Sequence, residues 1–151
     1  MSAIIEAKNL NLGYKNDENI IKNASFSVRA KEFVFITGAS GSGKSTILSS
    51  LYGHLPIKGG NLEVFGINMS RASKTKIHYL RQNIGIVFQD YKLVKEWNIE
   101  RNVMLPMIIN GYKKEICKEQ VERLLTHIKL SHKAGKFPLE LSGGEQQRVA
   151  M

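Results

Sequence analysis

A glycine-rich segment at residues 38–45 is the feature that most constrains the fold of this chain. It reads Gly38-Ala39-Ser40-Gly41-Ser42-Gly43-Lys44-Ser45 and matches the pattern G-x-x-x-x-G-K-[ST]. The segment 32–37 before it, with the apolar run 33–36 at its centre, predicts a buried strand, and residues 44–52 after it have a helical periodicity that ends at Gly53. A glycine-rich loop between a strand and a helix directs several backbone amides at one point. The sequence therefore predicts a phosphate-binding loop in an α/β fold.

Each residue type of this loop suits phosphate chemistry. Glycines permit positive φ angles and let the backbone approach an anion closely. We expect the ammonium of Lys44 to reach the β and γ phosphates of a nucleotide, and the hydroxyl of Ser45 to bind Mg²⁺. Thr46 is expected to support the α phosphate. A chance match to the pattern is rare in a chain of 151 residues, and the flanking strand and helix make it rarer.

Apolar patterning divides the remaining chain into a mixed first half and a helical second half. Short stretches that alternate or run apolar predict β-strands at residues 4–12, 25–28, 62–64 and 84–88. The polar segment 15–19 joins the first two as an antiparallel pair, and a short helix is expected through Ile77 and Leu80.

The second half begins at about residue 98. There the positions Cys117, Val121, Leu124 and Ile128 predict one buried helix face, and a last helix is expected to begin at Ser142.

Composition excludes several other classes of protein. Cys117 is the single cysteine, so no disulfide can form within the chain. No apolar run approaches the roughly 20 residues that a membrane-spanning helix needs. The net charge of +9 is spread over both halves without a basic arm or tail, so a nucleic-acid surface ranks below an ordinary solvated surface and we expect no nucleic-acid partner.

A second motif lies near the end of the chain. Residues 141–148, Leu141-Ser142-Gly143-Gly144-Glu145-Gln146-Gln147-Arg148, resemble the signature motif of ATP-binding-cassette ATPases. Ser142 and Glu145 have the spacing of a capping box, and Gly143 and Gly144 leave a helix N-terminus bare for an anion. The resemblance implies a homodimer packed head to tail, in which each signature contacts the γ phosphate held by the other copy's loop.

Two further residues match the family by resemblance. Gln89 resembles the glutamine that reaches Mg²⁺ and the attacking water, and Tyr14 resembles the aromatic that stacks on adenine. The alternatives are a solvated loop residue for Gln89 and a packing residue for Tyr14. Lys44 and Gln89 are thus the expected catalytic residues, Ser45 and Gln89 the Mg²⁺ ligands, and the expected ATP-binding set is Tyr14, Gly38, Ala39, Ser40, Gly41, Ser42, Gly43, Lys44, Ser45, Thr46, Ser142, Gly143, Gly144 and Glu145.

The resemblance implies a P-loop NTPase core with an antiparallel β subdomain and an α-helical subdomain. We expect residues 1–95 to form the core with the β subdomain, 96–140 the helical subdomain, and 141–151 the signature and the start of its helix. The family places the Walker B aspartate and the catalytic glutamate after that helix, beyond the 151 residues. The chain by itself is therefore expected to lack ATPase activity and to expose apolar sheet edges.

Three segments narrow the resemblance within the family. Residues 79–93, 102–111 and 137–140 are most similar to members that act in cell division beneath a membrane protein, at the cytoplasmic face of the plasma membrane. Lipoprotein-release and macrolide-export members share much of this pattern, and Arg101 stands where an acidic residue is common. A nucleotide-binding module without turnover is the remaining alternative.

Overall fold

The computed structural model describes residues 3–14 and 18–151. The chain forms two compact units, Met1–Ile84 and Gly85–Met151. Positions 15–17 of the expected polar connection lie outside the described residues. The three-part division at residues 95 and 140 stays a prediction.

The first unit is built on a four-stranded antiparallel sheet. Its strands are β1 (Ala3–Leu12), β2 (Ile21–Arg29), β3 (Gly59–Val64) and β4 (Ile67–Asn68), in the order β2-β1-β3-β4. Ala7 pairs with Phe26 on one side and with Leu62 on the other. Leu10, Leu12, Leu62 and Val64 are fully buried at the centre of the core. The expected antiparallel strands are therefore confirmed.

Two helices complete this unit. Helix α1 (Lys44–Leu51) follows the glycine-rich loop, and α2 (Lys74–Gln82) begins after Ser73, whose hydroxyl accepts a hydrogen bond from the amide of Lys76 at 3.3 Å. The guanidinium of Arg81 donates to the carbonyl oxygens of Tyr52 and Gly53, both at 3.0 Å. Arg81 thereby ties α2 to the carboxyl end of α1.

The two strands predicted at 32–37 and 84–88 are wrong: neither segment is a strand. Phe33 and Phe35 are 84% and 77% exposed, and their rings meet edge to face with centroids 4.9 Å apart. A buried parallel strand needs hydrogen-bonded neighbours in its sheet. No strand among the described residues pairs with either segment, and apolar side chains of both, such as Phe33 and Val87, remain exposed.

The second unit is helical, as the sequence predicts. Its helices are α3 (Ile99–Ile109), α4 (Lys114–His127) and α5 (Gly143–Ala150), with 3₁₀ turns at Ser131–Lys133 and Pro138–Glu140. Its core comprises Ile99, Met104, Cys117, Val121, Leu125, Leu130 and Leu141.

One position of the expected α4 face is wrong. Leu124 is 40% exposed, whereas Leu125 is buried, because the buried row continues at steps of four from Cys117 through Val121.

Asn102 fixes the segment before α3 in this unit. Its side-chain oxygen accepts from the amide of Val94 at 2.7 Å, and its Nδ2 lies 3.0 Å from the carbonyl oxygens of Val94, Trp97 and Asn98. Among the residues that the structure describes, no helix is both long and apolar enough to span a membrane.

Candidate functional site

The glycine-rich loop adopts a conformation that its glycines make possible. Gly41 and Gly43 have φ angles of 79° and 91°, in the left-handed region that side chains disfavour. A Cβ at Gly43 would lie 2.6 Å from Cδ1 of Ile21, so the loop packs directly on strand β2. The amide of Ser42 donates to the carbonyl oxygen of Ala39 at 3.2 Å and closes the turn.

The N-terminus of α1 opens onto this loop. The first backbone hydrogen bond of the helix runs from the amide of Ile47 to the carbonyl oxygen of Gly43 at 3.0 Å. The amides of Lys44, Ser45 and Thr46 precede that bond and have no acceptor within the helix. Gly43, the N-cap residue, offers no side chain to them. These amides and the positive end of the helix dipole together suit a bound anion.

Lys44 places its ammonium inside the loop. Nζ donates to the carbonyl oxygens of Gly38 and Ala39, at 2.9 and 2.7 Å. The charge therefore lies beside the amides that the turn and α1 present. A nucleotide phosphate held by those amides would meet a full positive charge at the same place.

Tyr14 lies next to the loop, as the resemblance implies. A cavity of about 250 Å³ is lined by Tyr14, Ile20, Gly41, Gly43, Lys44, Ser45 and Thr46. The Tyr14 side chain is half exposed, whereas Thr46 is buried. The structure thus brings together an accessible aromatic ring and the start of α1, while the contact with adenine stays a prediction.

The signature segment forms the capping box that its spacing predicts. The hydroxyl of Ser142 accepts from the amide of Glu145 at 3.4 Å, and Oε2 of Glu145 accepts from the amide of Ser142 at 2.8 Å. Gly143 and Gly144 are exposed in the first turn of α5. A bare, accessible helix N-terminus therefore stands in the second unit.

Lys133 is a neighbour of this cap that the sequence analysis missed. Its Nζ lies 2.6 Å from Oε1 of Glu145, and both side chains are mostly buried, at 26% and 18% exposure. The hydrogen bond from Lys133, followed by that from the Ser142 amide, lowers the pKa of Glu145 to about 2. Lys133 lies in a 3₁₀ turn and Glu145 in α5, so no periodicity within one element indicates this pair.

Gln89 lies on an exposed turn of the second unit, after the segment 84–88. Its predicted role at Mg²⁺ stays a prediction. The neighbouring Asp90 forms an ion pair with Lys92 at 2.6 Å, which lowers the pKa of Asp90. Within residues 3–14 and 18–151, no group of three or more His, Cys, Asp or Glu side chains could hold a metal ion. The Ser45 hydroxyl and phosphate oxygens are hard oxygen ligands, the type that Mg²⁺ prefers.

The glycine-rich loop and the helix that begins within it define a protein of the P-loop class. The family model described as "ABC transporter" matches residues 21–151, and the chain belongs to this family.

Two relatives of the chain are named for different roles. The chain is 40% identical over 149 residues to the cell division ATP-binding protein FtsE of Streptococcus pneumoniae serotype 2 (strain D39 / NCTC 7466), across 99% of this chain and 65% of the relative. It is 35% identical over 150 residues to the methionine import ATP-binding protein MetN of Carboxydothermus hydrogenoformans, across 98% of this chain and 44% of that relative. The chain thus spans 65% of the length of the first relative.

A solved structure shares the fold. The dimeric structure of a post-hydrolysis state of the ATP-binding cassette MJ0796, bound to ADP and Pi, matches with a TM-score of 0.85 and 31% identity. The match covers 97% of this chain and 66% of that chain. The expected cassette fold, a mixed α/β core with a helical part, is therefore confirmed.

Proposed function

We propose that this chain is the ATP-binding part of an ATPase subunit in an ABC-type complex. The observation that carries the proposal is the cavity that joins Tyr14 to the loop and to the first turn of α1. Its two ends suit the two ends of a nucleotide, because an aromatic ring stacks on a base and a helix N-terminus holds phosphate. Under this proposal Tyr14 stacks on adenine, and residues 38–46 surround the phosphates.

The loop residues have distinct tasks in the proposed reaction. Lys44 neutralises charge on the β and γ phosphates, and the amides of α1 fix their orientation. Ser45 and Gln89 would hold Mg²⁺, which supplies charge neutralisation when bound. Gln89 would also orient the attacking water.

A general base for that water is not supplied by the carboxylates near these motifs. Asp90 is engaged by Lys92, and Glu145 by Lys133 and the Ser142 amide. Neither carboxylate is therefore free to remove the proton, and turnover is proposed for the whole protein only.

The signature segment is proposed to act across a homodimer. Ser142 and the exposed Gly143 and Gly144 present a bare helix N-terminus, which suits a γ phosphate bound by another copy. The dimeric structure of MJ0796 bound to ADP and Pi supports this assembly.

The proposed cellular role is cell division. The support is the name of the FtsE relative together with the resemblance of residues 79–93, 102–111 and 137–140. Under this proposal the subunit lies at the cytoplasmic face of the plasma membrane and works with a membrane protein of the FtsX type.

Methionine import is the alternative that the MetN relative favours. Deletion of the gene distinguishes the two roles. A role in cell division predicts a division defect with normal methionine uptake, whereas a role in methionine import does not. Lipoprotein release, macrolide export and a module without turnover are further alternatives.

Two substitutions in the whole protein test the mechanism. Lys44→Ala removes the charge beside the phosphates, so ATP affinity should fall by about 10- to 100-fold. Ser142→Arg should leave ATP binding intact and block ATP-dependent dimerisation, because a bulky cation fills the anion site of α5. Lys74→Ala, on the exposed start of α2, is the control. Binding is measured with a fluorescent nucleotide, and dimerisation by sedimentation. Equal loss of ATP binding in the Lys44 and Ser142 variants would show that the signature does not act in trans.

A further inference from the structure

The carboxylate of Glu145 is held from two sides. Oε2 accepts the amide of Ser142 at 2.8 Å, and Oε1 lies 2.6 Å from Nζ of Lys133. One oxygen thus forms the helix cap, and the other is bound to a cation. The exposed fractions of the Lys133 and Glu145 side chains are only 26% and 18%, so water screens this ion pair less than a surface pair.

Lys133 stands on a turn that is itself fixed. The amide of Lys133 donates to the carbonyl oxygen of Leu130, and its own carbonyl oxygen accepts from the amide of Lys136, both at 2.9 Å. The residues just after this turn accept hydrogen bonds from the start of α3. The amide of Ile99 donates to the carbonyl oxygen of Lys136, and the amide of Glu100 donates to that of Ala134. Lys133 therefore links the N-terminus of α5 to the N-terminus of α3.

The ammonium also matters for charge. Glu145 puts a carboxylate within the first turn of α5, where the proposed function requires a phosphate to approach. An uncompensated carboxylate would repel that phosphate, whereas a paired one presents little net charge. Lys133 can thus orient the cap and neutralise the charge beside it.

We infer that Lys133 is a positioning residue for the signature segment: it holds Glu145 in the cap of Ser142 and neutralises that carboxylate, so that the N-terminus of α5 can receive the γ phosphate of a second copy. This inference rests on the proposed action of the signature in trans. Lys133 acts through Glu145 and does not itself contact the phosphate.

The chain contains a second lysine–glutamate pair that serves as a matched control. Lys136 lies 2.9 Å from Oε1 of Glu140, and Oε2 of Glu140 accepts the amide of Phe137 at 2.7 Å. The geometry repeats that of Lys133, Glu145 and Ser142, but Lys136 and Glu140 are 57% and 43% exposed and cap only the 3₁₀ turn Pro138–Glu140. Lys136→Met therefore removes an equivalent surface contact and leaves the signature unchanged.

The experiment measures ATP binding and dimerisation of the whole protein in the presence of a non-hydrolysable ATP analogue. Lys133→Met should weaken dimerisation at least about tenfold and leave the nucleotide affinity of the monomer unchanged. Lys133→Arg should retain dimerisation, and Lys136→Met should match the wild type. In the double variant Lys133→Met with Glu145→Gln, dimerisation should recover, because the uncompensated charge is gone. Loss of packing around the lysine stem would not be repaired in that way.

The outcomes separate this inference from the proposed function. If the wild type dimerises and Lys133→Met dimerises equally well, Lys133 has no positioning role and the action in trans stands. Failure of the double variant to recover, or an equal defect in Lys136→Met, also overturns the inference. If the wild type does not dimerise with the analogue, the proposed action in trans is wrong and the inference is wrong with it.

Discussion

Gly43 occupies a position in which both conformation and space require glycine. Its φ angle is 91°, and a Cβ there would lie 2.6 Å from Cδ1 of Ile21 and 3.1 Å from Cγ2 of Ile20. Gly41 has a similar φ of 79°, but nothing lies within 4 Å of its Cβ position. The two glycines therefore separate backbone strain from steric overlap within one loop.

Gly43→Ala should destabilise the protein more than Gly41→Ala. Both substitutions force a left-handed conformation on alanine, which costs about 1–2 kcal/mol. Gly43→Ala also displaces the side chains of Ile20 and Ile21, which adds about 1–3 kcal/mol. Urea unfolding of the whole protein measures both values. Equal losses of stability would show that the packing on β2 relaxes without cost.

Residue patterns predict local contacts and miss those between distant parts of the chain. The three-residue spacing of Ser142 and Glu145 is that of a capping box, and the structure confirms both of its hydrogen bonds. Lys133 lies 12 residues before Glu145, and their contact depends on how the turn at Ser131–Lys133 packs against α3. Such a contact is set by tertiary structure, so composition and periodicity carry no signal for it.

Strands and helices could be predicted where the apolar pattern of one segment shows which of its side chains are buried. Strand β3 follows from alternation, since Leu62 and Val64 point to one face and are fully buried. The run at 32–37 shows the limit of this reasoning. Four of its residues are apolar and exposed, because an apolar run indicates a need for burial without supplying the neighbouring strands. The turn of the glycine-rich loop was predictable for a different reason, because its glycines act through local geometry.

The cap of helix α5 should depend on pH. Hydrogen bonds from Lys133 and from the Ser142 amide lower the pKa of Glu145 from its ordinary 4.5 to about 2. The folded state thus favours the ionised carboxylate. Its stabilising effect is complete above the ordinary pKa and is lost as the pH falls through the folded-state value.

Glu145→Gln should therefore lower the free energy of unfolding by an amount that shrinks as the pH falls from about 5 towards 2. Glu119→Gln is the control, because it breaks the exposed ion pair with Arg123 and should cost no more than about 1 kcal/mol. Urea unfolding of each variant at a series of pH values provides the measurement. A difference between wild type and Glu145→Gln that stays constant with pH would show that the charge of Glu145 does not stabilise the fold.

The whole chain combines two units, each with its own core. The core of the first unit includes Leu10, Leu12 and Leu62, and that of the second includes Ile99, Val121 and Leu130. Neither core covers the segment 33–36, where Phe33, Val34, Phe35 and Ile36 are 84%, 54%, 77% and 39% exposed. A contiguous exposed apolar segment that belongs to no sheet is a site for association between molecules. At the scale of the molecule, we expect this segment to promote aggregation through the first unit.

The 151-residue chain expressed alone should therefore aggregate and lack a cooperative thermal transition. Substituting Phe33 and Phe35 together with serine should slow aggregation severalfold, because it interrupts the contiguous apolar run with polar side chains. Tyr79 and Tyr112 are exposed to 63% and 57% but lie outside the segment 33–36, so the corresponding double serine variant is the control and should aggregate like the original chain. Light scattering during heating measures the rate, and calorimetry detects any cooperative transition. A cooperative transition in the original chain, or equal slowing by both double variants, would show that the segment 33–36 does not direct aggregation.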